Sequence, residues 1–440
     1  REAGDKTHNN GVHYQKEVGT KAIKEFCNGE LKDDLFDFLA GQLGTDPRDQ
    51  LREATLVHDQ ARDQLSKIHA LPAHCSSERA ELYRSVIESE DWLNLKRSFD
   101  QWCACWFWPA DQIEHAPRPR SFSSPSEETL EVVDRLAEQN RFFHWELEFP
   151  DVFRERGAGF TAIVGNPAWD TAKPSSMEFF SNVDPLYRSY GKQEALRKQT
   201  EYFENQAIEQ SWIQYNAGFK AFSHFVRFSE NPWGVPGQSE SSTSRFSLAR
   251  GKANLEYHQL WKNQRSADNG YSDSRHPFRH QGSADLNLYK LFLEQAHAIM
   301  TNSGRMGFIV PSGVYSDHGT GALRELFLNH CAWEWLFGFE NRDKVFDIDG
   351  RFKFNPLIVI KGGNTQSLQA TFMRRKLEDW ENAEKFATSV SLEQITRFSP
   401  KTRAVLEIQT KQDLEILEKI YSNSVLTLVV SLSKSFGAFF

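Results

Sequence analysis

The distribution of apolar positions divides the chain into two patterns. Up to about residue 140 the spacing is helical. Leu51, Ala54, Ala61, Leu65 and Ile68 recur at three- and four-residue intervals behind Asp46-Pro47, an N-cap followed by proline at the first helical position, and they predict an amphipathic helix. A second helical run, DWLNLKRSFDQWCACWFW, is too aromatic to stand in water and has to pack on something. The Pro/Ser-rich stretch from His115 to Glu128 reads as a loop. It leads into a third helix, TLEVVDRLAEQN, and then into RFFHWELEFPDVF, where His144 is assigned a structural role.

From residue 160 the pattern changes to short apolar strands separated by helices. The predicted strands are TAIVG (161–165), RMGFIVP (305–311), EWLFGFE (334–340) and NPLIVIKG (355–362). Before the second strand, LNLYKLFLEQAHAIM (286–300) forms an apolar-faced helix, and Asn302-Ser303-Gly304 predicts its stop. Helix, glycine turn and strand make the αβ half of a doubly wound sheet. The connection NRDKVFDIDGRFK leaves no room for a crossover helix, so the last two strands pair as an antiparallel hairpin. Phe308 to Ser312 is read as a buried central strand. Residues 171–284 break this rhythm as a polar insertion with Ser/Gly-rich pieces such as GQSESSTS.

Composition narrows the function classes. A net charge of -8 over 440 residues excludes a uniformly basic nucleic-acid binder and leaves room for a local groove. Residues 185–280 hold 13 Lys/Arg against 9 Asp/Glu, an excess of +4, which suits a nucleic-acid face and a solvated insertion equally. Cys27, Cys75, Cys103, Cys105 and Cys331 are odd in number and follow no disulfide framework. Cys103-x-Cys105 has no nearby histidine at metal-ligand spacing, so these are read as buried free thiols in a reducing, cytoplasmic compartment. Asp343, Asp347 and Asp349 lack the order of a calcium loop and are read as a charged hairpin tip, so no metal is expected. The apolar VLTLVV is too short to span a bilayer.

The candidate chemistry lies where FTAIVG runs, without a polar turn, into Asn166-Pro167-Ala168-Trp169. Ligands of open α/β sheets bind beyond the carboxyl ends of the strands. An aromatic exocyclic amine is a poor nucleophile because its lone pair is delocalised into the ring. The Asn166 side-chain oxygen and the Pro167 carbonyl could together accept its two hydrogens and localise that pair, while Trp169 offers a flat face to a base lifted from its duplex. A sulfonium methyl group would then need neither metal nor strong base. The competing interpretation makes Asn166 a turn cap, Pro167 a stiffener and Trp169 part of the core.

VGNPAW resembles the Asn-Pro-Pro-aromatic motif of S-adenosylmethionine-dependent adenine-N6 DNA methyltransferases. FHWELEFPDVF followed by FTAIVGNPAWD is similar to the large type IIG-like methylases of restriction–modification and phage-defence systems. LNLYKLFLEQAHAIMTNSGRMGFIVPSGVYSD and FGFENRDKVFDIDGRFKFNPLIVIKGG resemble that family's next helix–strand pair and hairpin, and WCACWFWP its Trp/Phe-rich helix. The resemblance covers roughly residues 90–175 and 284–425. It implies that Asn166 and the Pro167 carbonyl hold the target amine and that Trp169 stacks on the flipped adenine, with Ala168 in substrate contact. The resemblance also implies that Pro311 and Ser312, at the far end of their strand, help to wall the base pocket. S-adenosyl-L-methionine is the implied cofactor, and double-stranded DNA the partner, with a fused or separate nuclease and a target-recognition domain.

Two positions depart from the family pattern. Ala168 replaces a proline, and Thr161 an aspartate common after the phenylalanine. The expected Asp-Pro-x-x-Gly-x-Gly turn and the acidic strand end that hold the cofactor are not found, and Gly29, Gly41 and Gly44 are isolated, so cofactor-binding residues stay unassigned. The chain starts at Arg1 and stops at GAFF, and both ends are read as cut.

The fold class implied is α/β: the C-terminal half of a Rossmann-like methyltransferase sheet ending in an antiparallel hairpin, preceded by a helical region and interrupted by a polar insertion. The domain expectation is a helical region over 1–140, a partial catalytic core over 141–365 with its insertion at about 171–284, and the core end plus the start of a target-recognition region over 366–440. Two rivals stand beside adenine methylation of DNA. One is an inactive truncated remnant that only binds DNA or a partner. The other is an N-methyltransferase acting on protein or RNA, which also uses an Asn-Pro-aromatic strand end.

Overall fold

A computed structural model describes residues 74–228 except 119, 123, 150 and 154–157, and residues 278–422 except 283 and 284, with a few isolated positions elsewhere. The helix expected behind Asp46-Pro47 (apart from a few isolated positions near its end), the GQSESSTS stretch, VLTLVV and Cys27 lie outside the described residues. Contacts divide the chain into two units, residues 1–156 with 173–277 and residues 157–172 with 278–440.

The first unit is helical, with α1 (Ser76–Ile87), α2 (Glu90–Phe107), α3 (Glu127–Asn140), α4 (Ser176–Ser181), α5 (Lys192–Tyr202) and α6 (Gln206–Phe228). Ser89 caps α2 by accepting from the Trp92 amide, and Ser126 caps α3 through the Thr129 amide. The aromatic stretch in α2 does pack: Ala104 and Trp108 close on Val132, Val133 and Leu136 of α3. His144 is buried, its Nε2 2.8 Å from Asp100 Oδ1, and Lys96 Nζ donates to the other oxygen of the same carboxylate at 2.7 Å. Burying that carboxylate is tolerated because both oxygens are satisfied. Of the described cysteines, all free, only Cys331 is fully buried; Cys75, Cys103 and Cys105 are half-buried.

The second unit is a six-stranded mixed sheet: β1 (Phe160–Gly165), β2 (Met300–Pro311), β3 (Cys331–Glu340), β4 (Lys353–Lys361), β5 (Ser367–Arg374) and β6 (Thr388–Ser391), in the order β1-β2-β4-β3-β5-β6. β1 and β2 are parallel, as are β3 and β5, and the remaining pairs are antiparallel. The β3–β4 hairpin forms as expected and slots β4 between β2 and β3. The sheet continues past that hairpin, adding β5 and β6 beyond β3.

Helices α7 (Leu288–Ile299), α8 (Gly321–His330), α9 (Leu392–Phe398) and α10 (Lys411–Ser422) contribute to one core with the sheet. Tyr289, Leu293, Phe327 and Ile395 meet Met306, Phe308, Val310, Trp333, Leu357 and Val359, all buried. The alternation along β2 buries Met306, Phe308 and Val310 and leaves Arg305, Gly307 and Ile309 more open, as a strand with one packed face requires. Each fully buried side chain of this size contributes roughly 1.5–3 kcal/mol. Among the described residues β1 pairs only with β2, and its Val164 is 86% exposed. No described helix is long and apolar enough to cross a membrane.

One boundary differs from the sequence expectation. α7 ends at Ile299 and β2 starts at once, so Asn302-Ser303-Gly304 is not a turn between them but a bulge inside β2. Phe160 is level with Met300, whereas Ala162 is level with Arg305. A Cβ on Gly304 would lie 2.8 Å from the Thr301 carbonyl oxygen and 2.9 Å from that of Phe160, so the close approach of the two strands requires glycine here.

In the last turn of α7, burial holds the His297 imidazole down to about 4, aided by the charge of Lys361 and by His280 and His330. Between pH 6.5 and 4 the unfolded chain takes up a proton there that the folded chain refuses, so stability present above 6.5 is lost as the pH falls. Urea unfolding at pH 7 and pH 4.5 should show a smaller acid loss in His297→Gln than in the unsubstituted protein, by about 1–2 kcal/mol. Equal losses in the two proteins would remove His297 from the acid response.

Candidate functional site

The parallel register sets the geometry. Gly165 is level with Phe308, so the chain leaves β1 at Asn166 beside the last residues of β2. Trp169 Nε1 donates to the Ile309 carbonyl at 3.3 Å, and its ring meets Phe346 edge-on with centroids 5.8 Å apart. Downstream, the Leu288 amide donates to the Asp170 carbonyl at 2.9 Å and the Ala172 amide to that of Leu286 at 2.7 Å, while Thr171 Oγ1 donates to Asn287 Oδ1 at 3.0 Å. The loop is thus held at its start by the strand ladder, at its middle by the indole and at its end by a short bridge to the start of α7.

Asn166 and Ala168 are exposed, Pro167 is buried and Trp169 is half-buried. Neither the Asn166 side chain nor the Pro167 carbonyl has a hydrogen-bond partner among the described residues. Asn166 therefore caps no turn here. Trp169 divides between the two interpretations: it joins a cluster with Ile309 and Phe346, and part of it stays open to solvent. Pro311 and Ser312 are half-buried two and three positions beyond the carbonyl that Trp169 holds. The Ser312 amide donates to the Lys353 carbonyl at 3.3 Å, and its hydroxyl has no partner among the described residues.

The connection 341–352 does more than the sequence suggested. Asn341 is fully buried; its Oδ1 accepts from the Phe346 amide at 2.9 Å and its Nδ2 donates to the carbonyls of Phe346 at 3.0 Å and Ile348 at 3.2 Å. One amide side chain thereby folds the tip so that Phe346 reaches Trp169. The apolar pair Val345-Phe346 amid charges was the available signal. Some of the charges at the tip are paired: Arg351 binds Asp349 at 2.7 Å and holds its carboxyl down to about 2, and Glu340 takes Arg342 and Arg375. Below, Lys353 Nζ and the Tyr315 hydroxyl both donate to Glu407, at 2.8 and 2.5 Å. Burial, then that carboxylate, pushes the tyrosine far above its ordinary range. Among the described residues no three His, Cys, Asp or Glu side chains converge as a metal site.

Neither glycine beside these strand ends offers the open backbone that a nucleoside–sulfonium cofactor would use. A glycine cradle must leave open space above its backbone. A Cβ on Gly165 would strike the Phe308 ring at 2.8 Å, and one on Gly313 would strike the Asp317 carboxylate and the Tyr289 hydroxyl. The space above both glycines is filled by their own neighbours, so neither forms a cradle for such a cofactor.

Residues 257–346 match the Eco57I restriction-modification methylase family. Within the described residues that segment holds α7, β2, α8 and β3, and it leaves out Asn166–Trp169. No curated protein matches the chain. Among solved structures, a modification subunit attributed to a type I restriction enzyme from Vibrio vulnificus YJ016 is 13% identical over 70% of each chain, with a TM-score of 0.27. A type I restriction-modification methyltransferase subunit from Streptococcus thermophilus is 12% identical over 89% of this chain and 100% of its own, with a TM-score of 0.24. The ATP-dependent Type ISP enzyme LlaBIII bound to DNA is 10% identical over 60% of this chain, which spans 12% of that protein, with a TM-score of 0.23. At these scores the α/β assignment stands on the chain's own sheet.

Asn341→Ala leaves the Phe346 amide without a partner, while the Phe346 and Ile348 carbonyls keep the Ile348 amide and Lys344 Nζ as donors, and the loss should cost about 1–3 kcal/mol. Chemical denaturation reads the loss, and limited proteolysis should show new cleavage within 342–350 under native conditions. Unchanged stability and an intact tip would mean that packing, not Asn341, holds Phe346 in place.

Proposed function

We propose that the chain carries the acceptor-binding part of a restriction–modification DNA methyltransferase that is adenine-specific, moving a methyl group from S-adenosylmethionine to N6 of a flipped adenine in double-stranded DNA. One observation supports this reading above the others: two acceptors without partners, the Asn166 amide oxygen and the Pro167 carbonyl, stand at a strand end beside a half-open indole. The family match over residues 257–346 favours the same class.

The residues would act by position. The two oxygens accept the two hydrogens of the exocyclic amine, which draws nitrogen toward a pyramidal form and localises its lone pair. Trp169, fixed by Ile309 and Phe346, stacks on the extruded ring, so the base arrives with its amine already oriented. Ala168 contributes backbone packing, and Pro311 with Ser312 forms the opposite wall. S-adenosylmethionine would supply the electrophilic methyl, and no step through it is assigned to these residues. In this reading residues 141–365 are the partial core, 171–284 its insertion, and 366–440 the core end and the start of target recognition. Duplex DNA and a fused or separate nuclease and recognition domain are the partners.

The test is methyl transfer from labelled S-adenosylmethionine in the full-length enzyme, offered duplex DNA, RNA and protein in parallel. Label should enter duplex DNA, and Asn166→Ala should lower the rate at least about 100-fold, the scale for losing one positioned polar group. DNA binding should stay within about twofold. Near-normal methylation by the variant would take Asn166 out of the mechanism, and label in RNA or protein alone would replace the substrate class.

A further inference from the structure

Among the described residues of the second unit, two cations are buried without an ion-paired carboxylate, and each gathers the backbone of a loop beside the candidate site. Lys290 is 1% exposed and its Nζ donates only to the carbonyls of Gln281 and Asp285, both at 3.3 Å. These belong to the segment that leads into the bridge with Asp170–Ala172. Arg324 is completely buried. Its Nη1 donates to the Val314 carbonyl at 3.0 Å, its Nη2 to that of Asp317 at 2.7 Å and its Nε to that of Thr402 at 2.9 Å. It makes no ion pair among the described residues; Asp317 acts on it only from a distance.

A buried charge answered by neutral carbonyls costs stability that an apolar residue of the same volume would save. What the guanidinium offers in return is shape. One rigid plane carries donors in fixed directions, and here they reach three carbonyls on two separate segments. Two of the three belong to the turn after β2. That turn closes on itself through the Tyr315 and Ser316 amides to the Ser312 carbonyl and the Asp317 amide to that of Gly313. Within it, Gly313 admits the Asp317 carboxylate and Tyr289 hydroxyl so closely that no side chain fits. The turn is therefore held at several points, and it begins at Ser312, whose hydroxyl has no partner among the described residues.

We propose that Arg324 is the positioning residue of the acceptor pocket: through the Val314 and Asp317 carbonyls it ties the Ser312–Asp317 turn to the Thr402 segment, and so sets where Pro311 and Ser312 meet the base held by Asn166 and Trp169. This rests on the methyltransferase reading for what occupies the pocket, and on the hydrogen bonds alone for what Arg324 holds.

The experiment uses the full chain and two readouts that separate these claims. Amide hydrogen exchange is followed at 313–317, and binding of the fluorescent nucleoside 2-aminopurine riboside by quenching. In Arg324→Lys, which keeps the charge and loses the fork, exchange at 313–317 should rise at least tenfold. Exchange in β3 and β4 should not change, and nucleoside affinity should fall several-fold. Arg324→Gln keeps amide donors without the charge and serves if the lysine variant does not fold; it should show the same pattern. Unchanged exchange at 313–317 in a folded variant overturns the role of Arg324. Raised exchange with undiminished nucleoside binding overturns the turn as a pocket wall. No quenching by the unsubstituted chain counts against the methyltransferase reading itself.

Discussion

The parallel ladder between β1 and β2 is the constraint on which the candidate site depends. Two adjacent parallel strands send their following loops out at the same edge of the sheet, so Asn166–Trp169 leaves β1 beside the last residues of β2, and Trp169 meets Ile309 across 140 positions of sequence. The antiparallel pairing of β2 with β4 adds the third wall, because it brings Lys353 beside Ser312 and carries the 341–352 tip over the same end. No side chain in the loop chooses this arrangement. The sheet does, and Gly304 permits it by letting a longer stretch of β2 pass a shorter stretch of β1.

Around that frame the polar groups are used as fasteners. Asn341 folds the hairpin tip from within, Glu407 joins Tyr315 to Lys353, and Arg324 and Lys290 tie two loops by their carbonyls. Each of these is buried or partly buried and hydrogen-bonded, where an unsatisfied group would be most costly. Asn166, the Pro167 carbonyl and the Ser312 hydroxyl have no partner among the described residues, and neither do the buried amide oxygens of Gln281 and Asn355. What sets the first three apart is their place, together at the strand ends rather than inside the core.

Much of this was legible beforehand. The four strands were readable because a half-buried strand alternates or runs apolar, and the hairpin because its connection is too short for anything else. Asn166–Trp169 stood out because a strand rarely ends in an amide, an imino acid and an indole. Asn302-Ser303-Gly304 was misread as a helix stop, since glycine signals a turn and a bulge alike and only the neighbouring strand decides between them. β5 and β6 were passed over: SLQATFMR mixes polar and apolar positions, and its partner strand is only four residues long. Asn341, Arg324 and Lys290 carry no local signature, because their roles exist only once distant carbonyls have been brought to them. The same holds for Phe346, which looks like one aromatic among charges until Trp169 lies against it.

The exposed flank of β1 couples the site to its surroundings. Within the described residues this strand is anchored along one side, with Val164 turned outward and no lysine or proline guarding the rim. Fraying from that side displaces Asn166 before any other residue of the motif. Conversely, a polypeptide paired along the rim would hold the strand end from which Asn166 leaves, and under the proposed function a base seated there would by linkage strengthen that pairing. Edge occupancy and acceptor affinity are then two faces of one equilibrium.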